Sequence, residues 1–289
     1  MQALGATVYD DTPSSEDEII GRIRDAEVIT ANYIDITPNI IDQAKNLKYI
    51  IVPAVGFEWV DSAYAASKNI KVLNCPSYNS HAVAEHAIAL LFAVSRRICE
   101  ANTSLRNGAW QPQTLKGNEV WGKKLGLIGY GRVGKQIAKI AAGLGMSVSY
   151  VNSSSSPGDL DQLLINSDVI ITCLPLNEET RQLIDQRRLM LLQPHAILIN
   201  VGRGATIDQN ALLRMLQEKR IKGAGLDVFD NEPLAGVPSE EIVAIANLPN
   251  VVATPHMAYN TEEAVNRLGQ ELIDNLKSCI NNQPINVVN

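Results

Sequence analysis

Cysteine is scarce and scattered in this chain of 289 residues: Cys75, Cys99, Cys173 and Cys279 stand far apart, and no two form a CxxC pair. That excludes a disulfide framework and a cysteine-based zinc site, and a cytoplasmic, reducing compartment suits such thiols. Long hydrophobic runs are missing too. The longest, AIALLFAVS at 87–95, falls far short of the roughly 20 apolar residues that span a bilayer, so no membrane partner is expected. The first residues, MQALGATVYDD, lack the basic start and apolar core of a secretory signal. Positive charge is not in excess: 25 Lys and Arg face 31 Asp and Glu, for a net charge of −6. The basic residues form no stripe, which argues against a nucleic-acid partner. No fixed-period repeat is present, and the nearest thing to low complexity, NSSSSPGD at 152–159, reads as a loop. Histidine is limited to His81, His86, His195 and His256.

Hydrophobic residues at 46% and charged residues at 19% describe a globular chain, long enough for two domains. Short β-branched runs (ATVY, EVITA, KYIIV, IKVL, KLGLIG, SVSYV, DVIITCL, AILINV, NVVAT) alternate with segments of helical period. Helix starts are well marked. Ser15 with Glu18 makes a capping box, Thr37-Pro38 places proline at a first helical position, and Asp208 precedes Ala211, Leu212, Met215 and Leu216. Such alternation implies parallel sheets covered by helices. It comes in two sets, over about 1–74 and from WGKKLGLIGYG to His256. HAVAEHAIALLFAVSRRI bridges them, and a last helix is expected over Thr261–Asn281. The expected fold is α/β, with two Rossmann-like or flavodoxin-like doubly wound parallel-sheet domains separated by a cleft where a ligand binds.

KLGLIGYGRVGKQIAKIAAGLG carries the strongest local motif. Gly129, Gly131 and Gly134 satisfy GxGxxG directly after a strand and at the start of a helix. The first allows a tight turn, the second lets backbone approach a pyrophosphate, and the third lets helix and strand pack closely. Phosphates then meet a helix N-terminus, opening with Arg132 and Val133, where N–H groups and the dipole favour anions. The cofactor expected is NAD or NADP. An acidic residue about 20 positions on normally holds the ribose hydroxyls; here the second strand ends in Asn152, followed by four serines. An uncharged Asn152 removes the repulsion that excludes a 2′-phosphate, so relaxed cofactor preference is expected.

Downstream lie LINVGRGATID, GAGLDVFDNEP and VVATPHMAYN. With the glycine loop, SYNSHAVAEHAIALL and RNGAW, they resemble the D-isomer-specific 2-hydroxyacid dehydrogenases over nearly the whole chain. The family includes D-lactate, glycerate, hydroxypyruvate/glyoxylate and phosphoglycerate dehydrogenases. The resemblance implies catalytic roles for Arg203, Glu232 and His256. A guanidinium fork clamps the carboxylate of a 2-keto acid and polarises its ketone. An imidazolium supplies the proton that the carbonyl oxygen needs as hydride reaches C2. A neighbouring carboxylate favours that protonated ring and fixes its orientation.

By the same resemblance, Leu174, Pro175, Val201, Asp227 and Ala258 line the cofactor, while Val55, Gly56 and Asn79 join Arg203 on the substrate. Residues 1–74 plus 261–289 correspond to the substrate domain, without the family's first βα unit, and 75–260 to the dinucleotide-binding domain. Val55, Phe57, Trp59 and Tyr78 imply an apolar lining and Glu58 repels a second anion, which favours small monocarboxylates such as pyruvate, glyoxylate or hydroxypyruvate. A homodimer is also implied. His86, in an apolar helix, and His195, on a loop, are expected to be structural. The alternatives are an NAD(H)-sensing, corepressor-like binding module without turnover, and a formate-type dehydrogenase. Formate oxidation needs no proton transfer to a ketone oxygen, so the Glu232–His256 pair argues against that second alternative.

Overall fold

The computed structural model describes residues 5–233 and 236–289. In chain order the elements begin with α1 (Glu16–Ile23), β1 (Val28–Thr30), α2 (Pro38–Gln43), β2 (Tyr49–Ile51), α3 (Ser62–Ser67) and β3 (Lys71–Leu73). They continue with α4 (Ser80–Ser95), α5 (Ile98–Arg106), β4 (Lys124–Ile128), α6 (Arg132–Gly143), β5 (Ser147–Val151) and α7 (Pro157–Asn166). Next come β6 (Val169–Thr172), α8 (Gln186–Leu189), β7 (Ile197–Asn200), α9 (Gln209–Gln217) and β8 (Gly223–Leu226). α10 (Glu240–Ala246), β9 (Val251–Ala253) and α11 (Glu262–Ile280) complete the set. The backbone gathers into two compact units, one built from the chain up to Asn79 together with Glu262–Asn289, the other from Ser80–Thr261.

The first unit holds a parallel sheet in the order β1-β2-β3. Its central strand β2 is buried on both faces, as a parallel strand under helices must be. Ile50 and Val72 share one face with Ile36, Ile40, Ile41 and Ala65. Tyr49, Ile51 and Leu73 point the other way, onto Leu276 and Cys279 of α11. The C-terminal residues extend this sheet: Leu73 bridges Val287 antiparallel, and the Val288 N–H donates to the Val72 carbonyl at 2.9 Å. Ser15 and Thr37 each accept from a backbone N–H three residues on, but the capping box expected at Ser15 is only half formed, since the Glu18 carboxylate takes the Ser14 N–H and hydroxyl instead of the Ser15 N–H.

The strand expected over ATVY does not form. Val8 and Tyr9 are about half exposed, and residues 6–9 pair with no strand among the described residues. Gly5 turns the backbone at φ 81, and α1 captures the stretch instead. Arg22 lies 4.5 Å over the Tyr9 ring and bonds Asp11 at 2.6 Å. β-branched and aromatic residues favour a strand only where an edge and a packing surface receive them.

The second unit carries six parallel strands in the order β5-β4-β6-β7-β8-β9. After β5 the chain crosses to the far side of β4, so the winding reverses between β4 and β6. In such sheets ligands bind beyond the carboxyl ends of the strands, at the reversal. The core lies on both faces. Leu125, Leu127, Val169, Ile171, Ile197 and Ile199 pack under α4 and α6, while Ile128, Ile170, Leu198 and Leu226 pack with Leu163, Leu212 and Ile245. β8, Gly-Ala-Gly-Leu, has little strand propensity and escaped the sequence reading. A Cβ on Gly225 would sit 2.9 Å from the Leu90 Cβ, so small residues in β8 are what allow α4 to lie close against the sheet.

Candidate active site

Five strands of the second unit deliver side chains to one edge. Because β4, β6, β7, β8 and β9 are parallel neighbours, the segments that leave them line up in space: Gly129–Gly134, Leu174–Pro175, Val201–Arg203, Asp227–Glu232 and His256–Ala258.

The glycine turn follows β4. Gly129 takes φ +101, and a Cβ on Gly134 would fall 2.3 Å from the Gly129 carbonyl oxygen, so helix α6 rests directly on the turn. Gly131 caps α6 with no side-chain hydrogen bond, and a Cβ built there would meet nothing within 4 Å. These residues fit a dinucleotide: an approachable backbone turn and an uncapped helix N-terminus are what a pyrophosphate requires. The Cys173 thiol donates to the Gly129 carbonyl at 3.2 Å, and burial pushes that thiol up to about 12, which keeps it an inert brace. Tyr130 stacks on Tyr150 of β5, centroids 3.7 Å apart and planes within 5°. Sequence reasoning missed this brace, although the two residues occupy neighbouring strand ends.

Asn152 follows β5 and nucleates its own loop. Its Oδ1 accepts from the Ser154 N–H at 2.9 Å and the Ser154 hydroxyl at 2.7 Å. Ser156 and Asp159 then form a capping box that starts α7 at Pro157. The serine run is thus an ordered Asx turn leading into a helix cap. With its oxygen engaged, the side chain of Asn152 keeps Nδ2, a donor, as its other polar atom.

Arg203 leaves β7 half-buried, its Nη1 donating to the Gly202 carbonyl at 3.0 Å. Its backbone carbonyl accepts from Asn200 Nδ2 at 3.1 Å and the Thr206 hydroxyl at 2.6 Å. A Cβ on Gly204 would come 1.8 Å from the Phe229 carbonyl carbon. Only glycine lets the arginine turn press against the backbone that leads to Glu232.

Glu232 and His256 meet. His256 Nδ1 lies 2.6 Å from Glu232 Oε2, and Glu232 Oε1 accepts from the Phe229 N–H at 2.6 Å. His256 adopts a left-handed backbone, φ 49, uncommon for a residue with a side chain. Buried Asp227 holds that conformation. Its backbone carbonyl accepts from the His256 N–H at 2.7 Å, and its carboxylate accepts from the N–H groups of Met257 at 3.0 Å and Ala258 at 2.9 Å. The Thr254 hydroxyl donates to it at 2.6 Å. Burial alone pushes the Asp227 carboxyl up, but hydrogen bonds from His86, Thr254, Ala258 and Met257 outweigh it and hold the group below the usual carboxylate range.

Val55, Gly56 and Asn79 belong to the first unit. Val55 and Gly56 lie in the loop after β2, where the Val55 carbonyl accepts from Asn74 Nδ2 at 2.7 Å; Asn79 stands in the turn just before α4. His195 pairs with Asp168 at 2.8 Å, at the amino ends of β6 and β7, opposite the carboxyl-end edge that carries the other residues. His86, expected to be structural, joins the Asp227 cluster through Thr254.

Comparison with known proteins matches residues 88–258 to the family model for the NAD-binding domain of D-isomer-specific 2-hydroxyacid dehydrogenases. Hydroxypyruvate reductase of Thermotoga maritima is 37% identical over 270 residues, covering 90% of this chain and 87% of the relative. Glycerate dehydrogenase of Methylorubrum extorquens is 37% identical over 289 residues, covering 97% and 90%. Among solved structures, an acyclic imino acid reductase in complex with NADPH and D-Arg superposes with a TM-score of 0.88 at 34% identity, covering 97% of this chain and 91% of its own.

Proposed function

Because the chain belongs to the D-isomer-specific 2-hydroxyacid dehydrogenases, and is thereby an NAD(P)-dependent oxidoreductase acting on small 2-keto acids, we propose that Arg203, Glu232 and His256 are the residues that turn the keto acid into its D-2-hydroxy acid. The substrate class is glyoxylate, hydroxypyruvate or pyruvate. The observation that carries the reading is the His256–Glu232 pair at 2.6 Å, standing on the same strand-end edge as the glycine turn.

When bound against Gly129, Gly131, Arg132, Val133, Gly134, Asn152, Leu174, Pro175, Val201, Asp227 and Ala258, the nicotinamide cofactor supplies the hydride. Arg203 binds the substrate carboxylate with two parallel N–H donors and polarises the adjacent ketone. Glu232 occupies His256 Nδ1, which leaves Nε2 to hold the proton that passes to the C2 oxygen. In the oxidative direction the same nitrogen takes the proton back. Val55, Gly56 and Asn79 are the first unit's contribution to substrate binding, through backbone N–H groups and one amide side chain.

The chain is proposed to be cytoplasmic, in keeping with its four free cysteines, and to form a homodimer. Apolar side chains that stay exposed on and after α5 (Ile98, Leu105 and Trp110) support an interface there. The test of function is NADH and NADPH oxidation over glyoxylate, hydroxypyruvate, pyruvate and 2-ketobutyrate, with the chirality of the product determined for the prochiral substrates. D-product from at least one keto acid is expected; an L-product, or no turnover on any of them, overturns the proposal.

A further inference from the structure

His86 is a titratable group inside an apolar helix, flanked by Ala82, Val83, Ala84, Ala87 and Ile88, all buried. The proton transfer described above makes no use of it. Its Nε2 nonetheless lies 2.9 Å from Thr254 Oγ1 and 3.4 Å from Asp227 Oδ1. The direction of these bonds can be worked out. Thr254 has one hydroxyl hydrogen, and it points to the Asp227 carboxylate at 2.6 Å, since an ionised carboxylate only accepts. Thr254 Oγ1 is therefore the acceptor from His86, and Nε2 must carry the hydrogen. The chain of donors runs one way, from His86 Nε2–H to the Thr254 hydroxyl to Asp227.

Asp227 in turn fastens the turn on which His256 sits. Its carboxylate and carbonyl take the N–H groups of Met257, Ala258 and His256, and His256 holds its left-handed backbone within that net. Without the donor from α4, a carboxylate 1% exposed loses one of its partners, and Thr254 is free to rotate its hydroxyl away. Such loss of one donor in a network around a buried charge is felt by the whole network.

We propose that His86 is a positioning residue for the reduction: from α4 it donates through Nε2 to Thr254 and Asp227 and so fixes the turn that presents His256. The inference rests on the proton-donor reading of His256. It assigns to α4 a part in the chemistry that its apolar sequence conceals.

Two variants and one spectrum test it. His86→Leu keeps bulk and removes the donor; kcat for keto-acid reduction should fall by about tenfold or more, with the Kd for NADPH within about threefold of the parent, a change of about 0.7 kcal/mol. His86→Gln carries a donor nitrogen near the position of Nε2 and should recover kcat to within about threefold of the parent, a recovery that mere filling of space by leucine cannot give. Unchanged kcat in His86→Leu, or no recovery in His86→Gln, overturns the proposal, and His256→Ala run alongside shows whether the underlying reading itself stands. Should either variant fail to fold, long-range ¹⁵N–¹H correlation on the parent protein decides. A hydrogen on Nε2 of His86 is expected, and the tautomer with its hydrogen on Nδ1 alone overturns the inference whether or not the enzyme turns over.

Discussion

Glu232 reaches His256 with one carboxylate oxygen while the other is pinned to the N–H of Phe229, three residues back on its own turn. The carboxylate therefore cannot swing freely; it is fixed to backbone before it meets the imidazole. A proton donor gains from this, because the ring is oriented by a group that is itself oriented.

His256→Ala should cut keto-acid reduction by roughly two to four orders of magnitude, the usual scale for losing a general acid. Glu232→Gln keeps the shape but not the charge, and should cost about tenfold or more, less than removal of the ring. Steady-state kcat on the best keto acid, with NADH binding followed by fluorescence, checks both. Near-normal turnover in His256→Ala removes that residue from the mechanism.

Arg203→Lys retains positive charge at the end of β7. A point ammonium cannot reproduce a planar fork with two parallel donors, so KM should rise while kcat falls, together lowering kcat/KM by about a hundredfold, or 2.7 kcal/mol. Lysine at full activity shows that charge alone suffices.

Acid should loosen the turn that carries His256. Asp227 is held below its ordinary value of 3.8 by its hydrogen bonds. A group with a depressed folded value contributes stability above its unfolded value and loses it as pH falls through the folded one. Asp227→Asn places an amide donor where hydrogen bonds must be accepted, so at pH 7 it should be less stable by about 1–3 kcal/mol. The gap in Tm between parent and variant should narrow as pH drops below 3.8, where the parent's carboxyl also becomes protonated. A gap independent of pH across that range contradicts the hydrogen-bonded carboxylate.

Cofactor choice should turn on Asn152. Its oxygen is spent on Ser154, it bears no charge to repel a 2′-phosphate, and no arginine stands within the NSSSSPGD loop to attract one. NADH and NADPH should both serve, within about tenfold in kcat/KM, or 1.4 kcal/mol. Asn152→Asp should shift preference towards NADH by weakening NADPH. A parent enzyme that discriminates a thousandfold for NADH rules out this role for Asn152.

The α/β alternation and the glycine turn were legible because each leaves a local signature: apolar runs, glycine spacing, caps; Arg203, Glu232 and His256 were singled out only through the resemblance of their motifs to a known family. β8 was not legible, since its strand character comes from the helix that lies across it rather than from its own residues. ATVY misled for the opposite reason, having the propensity without an edge to join. His86 reads as an ordinary helix residue because its partners, Thr254 and Asp227, arrive from 168 and 141 positions away along the chain. The pairing of Tyr130 with Tyr150, and the Asx turn hidden in a serine run, depend equally on geometry that composition does not carry.

The first unit is assembled from both ends of the chain, with Val288 and Asn289 stitched to Val72 and α11 lying under Tyr49, Ile51 and Leu73. Synthesis runs from one end only. The second unit, being continuous, can complete its sheet as soon as Thr261 leaves the ribosome, whereas the first must hold a half-covered sheet until the final helix emerges. During that interval its apolar underside is open to other chains.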